Sequence, residues 1–122
     1  MKVKDKALHF LAEAGCYWMV NWRMVRALGG TDEALLLGYL SSMQKQYGDD
    51  NGIFYRTIPD MKKDTLLDVR RQRKALNTLV ELGLIQMYVM GMPKKRYFRV
   101  CEEHLQEYLH ELTLSQQYGI YQ

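Results

Sequence analysis

A chain of 122 residues, 48% apolar and 25% charged, fits one domain with a single buried core and is too apolar for a disordered segment. No apolar run approaches the ~18 residues of a membrane span, and the opening MKVKDKALHFLAEAG carries Asp5, His9 and Glu13 where a secretory signal needs an apolar centre. The net charge of +3 hides an uneven distribution: residues 1–52 balance six Lys/Arg with six Asp/Glu, residues 53–100 set eleven against four, and residues 101–122 hold four Glu and no Lys/Arg.

A middle segment of net +7 points to a polyanionic partner. Cys16 and Cys101 stand far apart with no CxxC spacing, which favours two reduced thiols in a cytoplasmic protein over a disulfide or a zinc site.

In chain order, Ala7, Leu8, Leu11 and Ala14 fall at helical spacing and predict a short helix over 5–14, ended by Gly15. CYWMVNW has the aromatic and β-branched content of a strand, and RMVRAL reads as a helical turn stopped by Gly29-Gly30. TDEALLLGYLSSMQKQYG is the clearest helix. Thr31 is its expected N-cap, Asp32 and Glu33 suit the positive helix start, and Gly48 supplies the stop. Ala34, Leu35, Leu36, Leu37, Tyr39, Leu40 and Met43 make it the core helix, and Tyr17, Trp18 and Trp22 are assigned to the core beside it.

GDDNG is a turn and IFYRT a short strand. Thr57 caps a brief helix, IPDMKKDT, whose Pro59 suits a first turn. LLD is a tight connection to a second helix, capped by Asp68 and running from Val69 to Leu82 before Gly83. LIQMYVMG and KRYFRVC form a hairpin joined by MPKK, with a basic tip. EEHLQEYLHELTL, residues 102–114, is an acidic amphipathic helix with Leu105, Tyr108, Leu109 and Leu112 at i, i+3, i+4 and i+7. Two helices joined by a tight turn and followed by a basic hairpin predict an α+β, mostly α fold: a winged helix-turn-helix with extra N-terminal and C-terminal helices. It forms a single domain over 1–122 with its core at about 17–100.

Winding Val69–Leu82 at about 100° per residue gathers Val69, Gln72, Leu76, Leu79 and Val80 on one arc, with Ala75 and Leu82 on its flank. The opposite side carries Arg70, Arg71, Arg73, Lys74, Asn77, Thr78 and Glu81, of which Arg70, Arg71, Arg73, Lys74 and Asn77 are the candidate DNA contacts. Within it Arg70, Arg73, Lys74 and Asn77 stand at i, i+3, i+4 and i+7, in the half of the helix that enters the major groove in helix-turn-helix docking. Arg grips a guanine edge with two parallel hydrogen bonds, Asn does the same with adenine, and Lys serves phosphate. No acid precedes Glu81 to form i,i+4 pairs, so the like charges crowd one another unless an anion relieves them. Lys94, Lys95 and Arg96 in the hairpin are placed for the backbone or minor groove, and Lys62 and Lys63 for flanking phosphates.

The segment from Asn51 to Val100 resembles the winged-helix domains of plasmid and phage replication initiators and of DnaD-type replisome organisers. The likeness rests on a strand ending in Thr57, a short helix, the run Q-R-K-A-L-x-x-L-x-x-x-G-L-I matched by Gln72 to Ile85, and Gly91-Met92-Pro93 at the hairpin tip. WMVNWRMVRALGGTDEALLLGYLSSM is similar to the lead-in of the same pattern. The resemblance implies double-stranded DNA binding for a plasmid, phage or related mobile element, through Arg70, Arg73, Lys74 and Asn77 and the hairpin lysines. With no second domain after the acidic helix, the length fits a small accessory regulator of replication or transcription. A replication protein is a further expected partner.

His104, Glu107, His110 and Glu111 share one helix at spacings suited to a metal, but without further clustered ligands they read as a solvated polar face. No nucleophile motif, phosphate-cradling glycine loop or paired catalytic carboxylates are present, so neither an enzyme nor a cofactor is expected. The hairpin methionines Met87, Met90 and Met92 are candidates for contact with a neighbouring subunit. The apolar stripe of the last helix folds onto its own domain or pairs with a second copy, and a homodimer through Leu105, Tyr108, Leu109 and Leu112 is expected. The alternative is a protein-interaction module that docks a replication, repair or host-defence protein and does not itself read DNA.

Overall fold

The computed structural model describes Trp18 and residues 20–117. The expected helix over 5–14, Cys16, Tyr17 and the last residues of the tail lie outside the described residues. The fold is α+β and mostly helical: α1 (Trp22–Leu28), α2 (Thr31–Tyr47), β1 (Phe54–Tyr55), α3 (Ile58–Thr65), α4 (Val69–Glu81), β2 (Ile85–Met90), β3 (Lys95–Val100) and α5 (Glu102–Gln117). Among the described residues no helix is long and apolar enough to cross a membrane.

The strand expected through CYWMVNW does not form over its described residues. The Asn21 side chain accepts hydrogen bonds from the Arg23 and Met24 amides, which starts α1 at Trp22 instead. A strand also needs a ladder partner, and the sheet is completed by other segments. Trp18 and Trp22 are not in the core. Trp18 donates its indole N–H to the Asp64 carbonyl at 2.9 Å and stands edge-on to Tyr39, covering that ring from outside. Trp22 is 62% exposed, with the Arg23 and Arg26 guanidinium groups over its ring.

In α2, Leu36, Tyr39 and Leu40 are fully buried, and Ala34, Leu37 and Met43 nearly so, as its apolar run predicts. Its N-cap is Gly30 rather than Thr31, which opens the helix from an exposed position. The Glu33 carboxylate folds back over residue 30, where a Cβ would sit 2.2 Å from Glu33 Oε2, so a side chain there would have to displace the end of Glu33.

The sheet is three-stranded and antiparallel in the order β1-β3-β2. Phe54 lies opposite Phe98, and β2 runs against β3 from Ile85↔Val100 to Met90↔Lys95. Phe54, Phe98, Ile85 and Val100 turn inward to meet α2 and α4. Beyond Ile85, β2 is exposed through Met90. Gln44 of α2 accepts from the Val100 amide at 2.6 Å, tying the core helix to the last strand.

A polar cluster joins α2 to α3. Tyr39 donates to Asp64 at 2.5 Å, Arg56 Nε donates to the Tyr39 oxygen at 2.9 Å, and Arg56 pairs with Asp64. Burial alone lifts the Asp64 carboxyl, but the Tyr39 hydroxyl and the Arg56 guanidinium outweigh it and hold the group below the usual range. Burial and the Asp64 acceptor push the Tyr39 phenol up from 10.0 to about 12. A group whose pKa is raised on folding stabilises the fold below its unfolded pKa and loses that contribution as pH climbs through the folded value. Stability therefore declines between pH 10 and 12, and the decline is shallower in Tyr39→Phe. Urea midpoints at pH 9, 10, 11 and 12 check this, and parallel curves for the two proteins would refute it.

α5 begins where the Cys101 amide donates to the Leu84 carbonyl at 2.9 Å, and it extends beyond the expected 102–114. Leu105, Tyr108 and Leu112 pack against the protein's own core, leaving Leu109 exposed. Three of the four residues of the stripe read as a homodimer face are thus partly covered within the chain. Leu109 and Leu105 line a shallow groove of about 250 Å³ with Met24, Ala34 and Leu37. Cys101 is a buried free thiol. His104, read as part of a solvated face, lies 3.0 Å from the Gly83 carbonyl through Nδ1.

Candidate nucleic-acid interface

α3 and α4 form at the expected positions because their caps are local. The Thr57 hydroxyl accepts from the Asp60 amide at 3.1 Å, and Asp68 accepts from the Arg71 amide at 2.9 Å. Between them Leu66 adopts the left-handed conformation, φ 64°, and its amide closes α3 on the Lys62 carbonyl. Among the described residues it is the one non-glycine with positive φ.

α4 buries Gln72, Ala75, Leu76 and Leu79, a narrower face than the expected arc. Val69 and Val80, at the margins of that arc, are 42% and 41% exposed, and Leu82 is exposed as well. The outward side presents Arg70, Arg73, Lys74 and Asn77, all exposed. Among the described residues none of these three cations has an ion-pair partner. The first turn of α4 holds no acid, so Arg70 and Arg73 lie near the positive end of the helix dipole.

Arg71 does not belong to the free stripe. Its Nε and Nη2 donate to the two carboxylate oxygens of Asp32 on α2, at 2.9 and 2.7 Å. Its hydrogen bonds hold the Asp32 carboxyl below its usual range, and the pair ties α4 to the start of α2. Arg71→Ala is therefore expected to weaken any polyanion binding by less than Arg73→Ala does. Parallel titrations of the two variants against one duplex check the order, and equal losses would refute it.

Arg96 is also withdrawn. It reaches inward from β3, where Nη2 donates to Gln72 Oε1 at 3.3 Å and the guanidinium stacks over Phe98. Its Nε is buried without a partner, and burial lowers its pKa. Arg96 braces the hairpin on α4 and does not extend from it. Gln72 completes this brace by donating to the Ile58 and Leu67 carbonyls at 3.2 and 2.9 Å. One buried amide thus connects α3, the turn, α4 and the hairpin.

The remaining predicted residues form no ion pair among the described residues. Lys62 and Lys63 are exposed in the last turn of α3, and Lys94 is exposed in the turn between β2 and β3. Lys95 is exposed with its Nζ 4.8 Å from the centre of the Tyr55 ring. Met92 at the same turn is 97% exposed. Eight of the ten predicted contacts therefore stand on the surface with no ion-pair partner among the described residues, and two act as struts. Sequence reasoning placed Gln72 on the inward arc without its bridging role, although an amide among leucines was the available signal. Leu66 lies in the expected tight connection LLD, but its left-handed backbone was not foreseen. No family model, curated protein or solved structure matches the chain.

Proposed function

We propose that the chain is a winged helix-turn-helix protein that binds double-stranded DNA, with α4 as the recognition helix and the β2–β3 hairpin as the wing. The observation that carries this reading is the one-signed stripe Arg70, Arg73, Lys74 and Asn77, exposed on α4 with no acid in its first turn. Two further features support it. The element order from α2 to β3 matches the motif, and α3 and the wing are braced on α4 through Gln72. Arg70 and Arg73 are the base-reading arginines, Asn77 reads adenine, and Lys62, Lys63, Lys74, Lys94 and Lys95 meet phosphates. The family resemblance extends the proposal to replication or transcription control in a plasmid, phage or other mobile element.

The test is a mobility-shift titration against duplex DNA over a range of salt. Five phosphate-contacting lysines give a slope of log affinity against log salt of about −4.5, a loss of several hundredfold between 50 and 200 mM. Absence of any shift at low salt, with stable protein partners recovered instead, would favour a protein-docking role and refute DNA binding.

A further inference from the structure

Leu66 combines two costs in one residue. Its side chain is 81% exposed, although its neighbours Thr65 and Leu67 are buried. Its backbone has φ 64° and ψ 13°, a conformation that suits glycine and crowds an L side chain. A helix ending on a left-handed residue uses glycine there by default, so the leucine is not explained by the turn. An observed backbone outlier of this kind points toward function.

Its position suggests which function. Leu66 precedes the α4 cap Asp68 by two residues, and Val69, the first residue of α4, is itself 42% exposed. Val69 is one helical turn before Arg73 and so borders the basic stripe, and Leu66 stands three residues before Val69 in the turn that follows Lys62 and Lys63. Resting on the DNA-binding reading above, the turn that carries Leu66 leads from the phosphate-binding lysines of α3 into the recognition helix, so both exposed apolar residues stand at the edge of the groove contact. The apolar feature that the major groove offers is the C5-methyl group of thymine. We propose that Leu66, supported by Val69, is a specificity-determining contact for thymine methyl groups at the edge of the DNA site.

The experiment uses the full chain and a duplex selected by the wild-type protein from random-sequence DNA. Each thymine of that duplex is then replaced in turn by deoxyuridine, which removes the methyl group and keeps the hydrogen-bonding edge. At one or two positions the replacement weakens wild-type binding about fourfold, the worth of one buried methyl. Leu66→Gly binds the thymine duplex more weakly by a similar factor and is indifferent to uracil at those positions. Leu66→Asn, which also tolerates the left-handed turn, behaves in the same way. Both variants unfold at a urea concentration no lower than wild type, which separates lost recognition from lost folding. The inference is overturned if no uracil substitution changes wild-type affinity by twofold, or if both variants keep the wild-type response. Failure of the wild-type protein to bind any duplex overturns the DNA-binding reading itself.

Discussion

Replacing Arg70 and Arg73 together by alanine is expected to abolish the proposed duplex binding, with a loss of at least about 100-fold at low salt, while the far-ultraviolet circular dichroism stays unchanged. Both side chains are exposed and neither pairs with another residue among those described, so their removal takes nothing from the core. Each bidentate arginine–guanine contact is worth about 1–3 kcal/mol, and two such contacts account for the expected loss. Alanine at both positions also removes like-charge crowding at the start of α4, so the double variant unfolds at an equal or slightly higher urea concentration. An affinity within threefold of wild type would sink the assignment of α4 as the recognition helix. A uniform loss on specific and random duplexes would instead move both arginines from base reading to phosphate binding.

Gln72→Leu has the largest expected effect on stability, about 2–4 kcal/mol. The substitution keeps the volume of the site but removes the amide that donates to the Ile58 and Leu67 carbonyls and accepts from Arg96. Each buried polar group left without a partner costs about 1–3 kcal/mol. Arg96 suffers most, because its Nε is already unpaired and the substitution removes the acceptor of Nη2. Urea unfolding measures the change, which is a large share of the ~5–15 kcal/mol that holds a domain of this size together. A loss below about 0.5 kcal/mol would show that Gln72 is not the brace between the turn and the hairpin. Gln72→Glu keeps an acceptor for Arg96 but has no amide donor, so it separates the two halves of the role.

The two arginines and the glutamine share one helix, yet only part of their behaviour is legible in its sequence. The caps at Thr57 and Asp68 could be read directly, because a cap is a contact between a side chain and an amide two or three residues away. The exposed stripe was legible for the same reason, since the pitch of a helix is a local property. Val69 and Val80 were assigned inward and are exposed, because a wheel shows which residues share a side but not how wide a neighbour covers it. Trp18 and Trp22 illustrate the same limit: their size suggested a core, but their polar edges and arginine partners keep them at its rim.

What the sequence determined by itself is the order and type of most elements from α2 onward, the caps that begin α3 and α4, and a helix with one-signed charge opposite an apolar face. All of these follow from interactions within a turn or two of the chain. The tertiary structure alone decided which cations remain available. Arg71 is taken by Asp32, 39 residues away, and Arg96 by Gln72, 24 residues away. No periodicity encodes such pairs, because a guanidinium takes whichever acceptor the packing of α2, α4 and β3 brings within reach.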